Sequence, residues 1–512
     1  MAIKRYIADK DNTITNAFRS SLLDTQRGTG SNMGAADVLE TFSIYGESSG
    51  SNGLSQELSR VIIQFPVSDI SADRTAGTIP ASGSVSFYLR MYNARHAFTL
   101  PRNLILAIQP VSTSWEEGVG LDMDEYKDVT HDNSGSNWIR RGKVGEWTTV
   151  GGDYLSSPSY TASFPSGYED LKVDISEIIE NWILGSGGGE YDNYGLSVRI
   201  TASQEAYFSS SVGANSGSLI QNTVGSTESY YTKKFFARSS EFFFKRPVIE
   251  ARWDSRVKDD RGNFYYSSSL APAADNLNTL YLYNYVRGKL VNIPSVGTGN
   301  ILVSLYSGST APSGSKLALP IGGGVVAASD LNVTGGWYKT GIYSASMAAT
   351  GTLTALFDVW HSGGTELFTS SISPNTLLGF NNAPTEQYAS SISNLKDKYR
   401  RSETARFRLF VRNKDWSPTI YTVSNNNPSN ETIVSASYRI YRVVDNLEAV
   451  GYGTGSDKST YLSYDVSGNY FDLDMSLLQS DYAYGIKLSY YNGSSGDWVE
   501  QPEDFKFRVE ES

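Results

Sequence analysis

Apolar and polar residues alternate with a period of two along much of this chain, and this pattern constrains the fold more than any other feature. Clear examples are residues 61–65, 85–92 and 407–411. A strand with this pattern turns one face to a core and the other to solvent, as in antiparallel sandwiches. Aromatic residues make up 12% of the chain and 47 glycines supply turns, which suits many short strands. We therefore predict an all-β fold of tandem antiparallel β-sandwiches.

A helical period is clear in one segment, residues 173–185. Its apolar residues recur every three or four positions: Ile175, Ile178, Ile179, Trp182 and Ile183. Asp174 or Ser176 can cap the start, and Gly185 can end the helix. The pattern predicts a short helix with one buried face. A polar and charged stretch at 390–403 is a second helix candidate.

Two changes in composition divide the chain. A strand-like segment at 248–253 gives way to charged residues at 254–261, and a polar stretch follows at about 384–403. A length of 512 residues suggests about three domains, at roughly 100 to 200 residues each. We predict a jelly-roll β-sandwich at 1–258, a second β-sandwich at 259–390 and an immunoglobulin- or fibronectin-like sandwich at 391–512.

The last predicted domain contains a pattern with a structural meaning. Residues 477–488 place apolar residues, then a short polar turn, then Tyr482 and Tyr484 at the opening of an alternating strand. This resembles the tyrosine corner of immunoglobulin-like sandwiches, in which the phenol binds an upstream backbone group. The pattern favours a small sandwich here.

The composition excludes several classes of site. The chain has no Cys, which rules out disulfides, thiol nucleophiles, zinc ribbons and iron–sulfur clusters. His96, His131 and His361 stand in separate segments, so no imidazole pair or triad is indicated. The glycine triplets at 187–189 and 322–324 lack the Lys-Ser/Thr of a phosphate loop. We predict neither a cofactor nor catalysis.

Two groups of carboxylates invite a functional interpretation. Glu116 and Glu117 could form a glycosidase pair, but adjacent residues of a strand point to opposite faces, so we do not expect catalysis there. The segment 122–132 is rich in Asp and Glu but lacks the Gly and terminal Glu of an EF-hand. A solvated acidic loop is the favoured interpretation, and a calcium site stays open.

The charge and hydropathy patterns bear on partners. A net charge of −11 argues against nucleic acid, because Lys and Arg must neutralise phosphates. The N-terminus lacks the apolar stretch of a signal peptide, and no segment has the length of a membrane span. A basic run is mixed with acidic residues, which favours an ion-pair seam between domains or subunits. Its residues are Lys245, Arg246, Arg252, Arg256, Lys258 and Arg261, with Glu250, Asp254, Asp259 and Asp260.

Landmarks in residues 1–255 occur in a recognisable order. They include Trp115-Glu116-Glu117-Gly118, the segment from Asp174 to Trp182 with Gly185, Asn193-Tyr194-Gly195-Leu196, Arg238–Glu241 and Arg246-Pro247. This half of the chain resembles the DNRLRE-type (disaggregatase-related) domain, an extracellular jelly-roll module. Pro66 follows Phe65 where that family has Asp, and Arg238-Ser239-Ser240-Glu241 replaces a tighter S-R-E. The resemblance implies the fold, while Trp115, Trp182 and Asp174 are predicted to be core and capping residues.

Two functions remain open. The whole chain resembles structural proteins of marine tailed phages, which implies a virion component of the neck, collar, tail or head surface. Such a protein forms a homo-oligomer, contacts other virion proteins and meets neither nucleic acid nor membrane. The alternative is a carbohydrate-binding or adhesive cell-surface protein with a host surface glycan as partner. A polysaccharide depolymerase ranks third, because the repeats of a β-helix are absent.

Overall fold

A computed structural model describes residues 2–511 with internal gaps. The gaps are 19–26, 47–55, 96–100, 122–134, 186–187, 210–216, 297–300, 318–319, 322–324, 327–330, 334–340, 350–352, 376–386, 415–429 and 494. The described residues form two compact units, Ile3–Trp253 and Asp254–Ser512 with the first two residues. The division into three domains at 258 and 390 stays a prediction.

The first unit is a β-sandwich. Its strands are β1 (Ile3–Ile7), β2 (Lys10–Thr15), β3 (Val38–Ile44), β4 (Glu57–Gln64), β5 (Val85–Met91), β6 (Leu104–Pro110), β7 (Tyr160–Phe164), β8 (Leu171–Asp174), β9 (Leu196–Ile200), β10 (Tyr230–Phe236) and β11 (Val248–Trp253). One sheet has the order β1-β11-β5-β8. The other has the order β10-β3-β4-β9-β6-β7, with β2 also paired to β4.

Both sheets contribute to one core, as the alternation of their residues predicts. Phe87 and Leu89 from the first sheet pack with Val61, Ile63 and Val198 from the second, and all are fully buried. Each strand pairing in this unit is antiparallel. The all-β sandwich prediction is therefore confirmed for this unit.

Two helices, α1 (Val67–Thr75) and α2 (Ser176–Leu184), join these strands. Helix α2 is the predicted one, and it buries Ile178, Ile179 and Trp182. The carboxylate of Asp174 accepts hydrogen bonds from the Ser176 amide (3.0 Å) and hydroxyl (2.6 Å) at its start. The sequence does not predict α1, because its residues carry almost no amphipathic period and only Val67 and Ile70 are buried.

The second unit begins with another set of strands. They are β12 (Asn278–Tyr283), β13 (Tyr285–Val286), β14 (Lys289–Leu290), β15 (Ile301–Ser307), β16 (Pro320–Ile321), β17 (Val325–Val326), β18 (Leu331–Val333), β19 (Ile342–Met347), β20 (Leu356–Ser362) and β21 (Thr365–Ile372). The pair β12-β19 and the sheet β18-β15-β20-β21 share a core that includes Leu280, Val303, Met347 and Trp360. These strands also form a small antiparallel sandwich.

The C-terminal strands form an immunoglobulin-like sandwich. They are β22 (Tyr388–Ile392), β23 (Lys398–Arg400), β24 (Thr404–Asn413), β25 (Ala436–Arg442), β26 (Glu448–Val450), β27 (Ser463–Asp465), β28 (Gly468–Asp474), β29 (Ala483–Asn492), β30 (Asp497–Glu500) and β31 (Phe505–Glu510). The orders β22-β24-β28-β27 and β23-β31-β29-β25-β26 match the two sheets of an immunoglobulin domain. The ring centre of Phe407 on β24 lies 5.0 Å from that of Phe471 and 5.8 Å from that of Phe507, so these rings pack the two sheets together.

The tyrosine corner is present at Tyr484. Its hydroxyl donates to the carbonyl of Gln479 at 2.9 Å and accepts from the amide of the same residue at 2.8 Å. The ring is buried at the start of β29. The predicted helix at 390–403 is wrong, since β22 and β23 occupy that segment and β22 spans the predicted boundary at 390. β22 pairs with the nearby β24 and β23 with the distant β31, and the segment lacks a helical pattern of apolar residues.

Candidate functional site

A polar cleft of about 710 Å³ opens on the outer face of the seven-stranded sheet in the first unit. Its lining is rich in hydroxyls, amides and charged groups: Arg60, Ser112, Thr113, Arg141, Glu146, Thr148, Thr149, Gly152, Asp153, Tyr154, Arg199, Ala202, Glu205, Ile220, Gln221 and Asn222. Cavities of roughly 300–1,000 Å³ suit small-molecule ligands. The cleft is the candidate functional site.

The period of two explains how charged residues reach this face. Leu58 and Ile62 of β4 lie in a second apolar cluster with Trp115 and Trp138, and Arg60 shares their face of the strand. On β9, Val198 and Ile200 enter the main core, so Arg199 between them points to the same outer face. Adjacent strands thus bring the two guanidinium groups to the cleft.

A buried ion pair forms the floor of the cleft. Arg60 donates from Nε to Glu205 Oε1 at 2.9 Å and from Nη2 to Oε2 at 2.7 Å, while Nη1 donates to the carbonyl of Gly151 at 3.1 Å. Burial favours the neutral form of the guanidinium, but Glu205 outweighs burial and raises the pKa of Arg60. The pair is therefore fixed, and both oxygens of Glu205 are engaged.

Aromatic rings surround this pair. The guanidinium of Arg60 lies 5.4 Å from the ring centre of Trp138 and 5.6 Å from that of Tyr154. The guanidinium of Arg199 lies 5.6 Å from Tyr154 as well. At Gly151 the backbone has φ +82°, and a Cβ atom there would lie 2.9 Å from the Trp138 ring. Glycine is required at this position for the loop to close over the ring.

The rim is held by a local turn. The carboxylate of Asp153 accepts hydrogen bonds from the amides of Thr148 and Thr149, at 2.9 and 2.8 Å. Asn222 donates from its side-chain amide to the carbonyls of Ala202 (2.8 Å) and Glu205 (3.2 Å). These contacts fix the walls of the cleft without a ligand, as a preformed binding site requires.

The structure separates the two carboxylates considered in the sequence. Glu116 and Glu117 lie outside the strands, although we expected them within one. Glu116 accepts from the amide of Lys143 at 2.8 Å, whereas Glu117 forms an ion pair with Arg238 at 2.9 Å and accepts from the amide of Asp11. Each carboxylate has its own structural partners, which favours an architectural role for both.

Other sequence candidates lie partly outside the described residues. The acidic segment 122–132, His96, His131, Gly187 and the triplet 322–324 fall there. His361 lies on β20, with its Nε2 atom 2.9 Å from the Ser304 hydroxyl. Within the described residues, no group of three or more His, Asp or Glu side chains is gathered to hold a metal ion.

Four landmark residues of the DNRLRE-type resemblance lie in the core or in a turn. Trp115 is buried and donates from Nε1 to the carbonyl of Tyr194 at 2.8 Å. Trp182 lies in the main core. Asn193 accepts from the amide of Gly195, whose φ of +90° opens the turn into β9. A Cβ atom at Gly195 would lie 2.2 Å from the carbonyl oxygen of Ile63, so the turn needs glycine.

The mixed basic run forms ion pairs between residues of the same unit. Arg252 donates from Nε to Glu250 Oε1 at 2.6 Å on β11, and Arg256 pairs with Asp254 at 2.6 Å. Arg261 pairs with Asp358 of β20 at 2.6 Å. An ion-pair seam between domains or subunits stays a prediction for the remaining residues of the run.

An exposed aromatic patch lies between β10 and β11. We define it as Phe236, Phe242, Phe243 and Phe244 with Lys245 and Arg246. The rings of Phe242 and Phe243 are 49% and 41% exposed. Phe242 packs edge-on to Phe236 at 5.4 Å, and Lys245 Nζ lies 5.2 Å from the Phe236 ring. A 3₁₀ turn at Phe243–Lys245 fixes the segment.

Asp11 is a buried acid beside the Glu117–Arg238 pair. It is fully buried; its Oδ2 accepts from the amide of Arg238 at 2.5 Å, and Oδ1 has no hydrogen-bond partner among the described residues. Burial raises the pKa of Asp11 to about 7, with the Arg238 amide opposing the shift and Glu117 adding to it. The folded state therefore favours the protonated acid.

This shift predicts a pH dependence of stability. Because the pKa is raised on folding, the stabilisation is complete below the unfolded value of 3.8 and is lost as pH rises through about 7. We expect Asp11→Asn to gain stability relative to wild type by up to about 1.4 kcal/mol per pH unit within this range. Urea unfolding from pH 4 to 8 measures this difference, with exposed Glu228→Gln as the control. A difference independent of pH would contradict the prediction.

The cleft is not predicted by any sequence motif. A signal was nevertheless present, since Arg60 directly precedes the apolar run 61–63 and Arg199 stands between Val198 and Ile200. A charged residue within a buried strand requires a partner. The sequence does not reveal that partner, because Glu205 lies in a turn 145 residues beyond Arg60.

Comparisons with known proteins do not identify a relative. No family model and no curated protein matches the chain. Among solved structures, a marsupial T cell receptor is 10% identical, with 48% of this chain and 70% of that chain covered and a TM-score of 0.15. Murine CEACAM1b is also 10% identical, with 46% and 93% covered and a TM-score of 0.12. Neither likeness carries an argument about function at these scores. In the described parts of the chain, no helix has the length and apolarity needed to cross a membrane.

Proposed function

We propose that this chain is a structural protein of a tailed-phage virion, located in its neck, collar, tail or head surface. It acts through assembly into a homo-oligomer and through contacts with other virion proteins, not as an enzyme. The observation that carries this proposal is the exposed aromatic patch. Rings held rigid at a surface give a large contact area at a small cost in conformational entropy.

The patch has the chemistry of a protein interface. Aromatic residues and Arg are enriched at such interfaces, whereas several rings gathered into one exposed patch are unusual elsewhere on a protein surface. Lys245 and Arg246 lie over the rings of Phe242 and Phe243, at 5.9 and 5.1 Å, so the patch is both apolar and basic. A chain of net charge −11 offers acidic surface to such a patch. We therefore assign a second copy of this chain as its occupant.

The oligomeric state tests this role. We expect the purified chain to be oligomeric by light scattering, and the double variant Phe242→Ser/Phe243→Ser to dissociate while its circular dichroism spectrum shows that it remains folded. Tyr168→Ser removes another exposed ring of the same unit and serves as the control. Peptide mass fingerprinting of purified phage particles tests the location. A monomeric wild-type chain that is absent from particles would overturn the proposal.

The second candidate is a carbohydrate-binding or adhesive surface protein, favoured by the polar cleft. Hydroxyl and amide side chains such as Thr113, Gln221 and Asn222 line it, and these groups pair readily with sugar hydroxyls. Direct titration with oligosaccharides tests this candidate. Binding by a monomeric chain that is absent from particles would favour it over the virion role.

A further inference from the structure

Arg199, like Arg141, lines the cleft and has only neutral hydrogen-bond partners. Arg199 donates from Nη2 to Gln109 Oε1 at 2.9 Å and from Nη1 to the carbonyl of Ile200 at 3.5 Å. Its Nε atom is buried without a hydrogen-bond partner among the described residues. The guanidinium lies 3.9 Å from Glu205 Oε2, which already binds Arg60. The charge of Arg199 is therefore incompletely compensated.

The electrostatics of the cleft agree with this geometry. Burial lowers the pKa of Arg199 and the neighbouring charge of Arg60 lowers it further, while Glu205 and Tyr154 oppose the shift without cancelling it. The acidic lining compensates Arg199 only in part, because Glu205 is shared with Arg60, which donates to both of its oxygens, and the Asp153 oxygens accept from two backbone amides. Glu146 is exposed. An anionic group entering the cleft would thus gain a charge-assisted hydrogen bond from Arg199 without breaking the hydrogen bonds between Arg60 and Glu205.

We propose that the cleft binds a saccharide that carries a carboxylate, with Arg199 as the residue that pairs with the carboxylate. Ser112, Thr113 and Gln221 line the same cleft and supply hydrogen-bond donors and acceptors for the sugar hydroxyls. A volume of about 710 Å³ suits a short oligosaccharide. This proposal rests on the carbohydrate-binding candidate and adds the charge of the ligand and the residue that recognises it.

Calorimetric titration of the full chain with trigalacturonate tests the proposal, with its fully methyl-esterified form as the neutral counterpart. We expect the acid to bind at least about tenfold more tightly than the ester, because a charge-assisted hydrogen bond contributes about 1.5–3 kcal/mol. Arg199→Gln should abolish this preference, and Arg199→Lys should retain most of it. The control is Arg102→Gln, which removes an exposed Arg of the same unit.

The outcomes separate this proposal from the function on which it rests. Equal binding of acid and ester by wild type would overturn the carboxylate preference and leave the carbohydrate-binding candidate standing. Binding of neither would overturn both. A preference that persists in Arg199→Gln, with an unchanged melting temperature, would overturn the assignment of Arg199. If Arg199→Gln is unfolded, a loss of preference in Arg199→Lys would also overturn that assignment, because Lys retains the charge.

Discussion

Replacement of Lys233 by Met should destabilise the first unit by about 3–5 kcal/mol. Lys233 is fully buried, and its Nζ donates to Asn93 Oδ1 (2.6 Å) and to the carbonyls of Gly167 and Glu169 (2.8 Å each). Met fills similar space but leaves three acceptors unpaired, one buried at Gly167 and two partly buried at Asn93 and Glu169, and a buried unpaired acceptor costs about 1–3 kcal/mol. Burial lowers the pKa of Lys233 to about 8, with Glu169 and Asp170 opposing, so the ammonium is charged at pH 7.

The neighbouring residue supplies a matched control. Lys234 points to the other face of β10 and forms a partly exposed ion pair with Glu40, so Lys234→Met should cost about 1 kcal/mol or less. Urea unfolding measures both variants. Hydrogen exchange adds a local measurement, since loss of the ammonium should accelerate exchange in the loop between β7 and β8 that contains Gly167. Equal destabilisation by the two variants would refute the importance of the buried contacts.

The sequence predicts those parts of the fold that depend on local periodicity. The alternating residues of β4, β5 and β24 form strands, and the amphipathic segment before Gly185 forms α2. The tyrosine corner at Tyr484 is predictable because the polar turn and the strand that form it are adjacent in the sequence. In each case the burial of one face determines the structure, and that face is visible in the sequence.

The cleft and the buried charges depend on long-range pairings, which local patterns do not encode. Arg60 forms an ion pair with Glu205, 145 residues away in the sequence, and Arg5 forms one with Glu250, 245 residues away. The order of the strands determines which charges pair, because β1, β5 and β11 become neighbours only in the folded sheet. From the sequence, Lys233 looks like a surface charge on a half-exposed strand. In the structure the loop at Gly167 covers it and accepts its hydrogen bond. The sequence shows which charges are unusual, but the partners require the topology.

Glu250 pairs with residues that are distant in the sequence, and its replacement by Gln is the second change with a large expected effect. The carboxylate on β11 accepts from Arg5 Nε of β1 (2.7 Å), Arg90 Nη1 of β5 (3.3 Å) and Arg252 Nε (2.6 Å). Gln removes the charge that three guanidinium groups share within one sheet. Removing one partner from a buried ion cluster costs about 3–5 kcal/mol. We expect a loss of that size in urea unfolding, against little change for exposed Glu241→Gln.

The same cluster fixes the response of stability to acid. Burial alone raises the pKa of Glu250, but Arg5, Arg90 and Arg252 outweigh it and hold the pKa well below the ordinary 4.5. A lowered pKa gives stability that is present above 4.5 and is lost as pH falls below it toward the folded value. Wild type should therefore lose stability more steeply than Glu250→Gln between pH 5 and 3. Parallel curves for the two proteins would show that the three guanidinium groups do not act on this carboxylate.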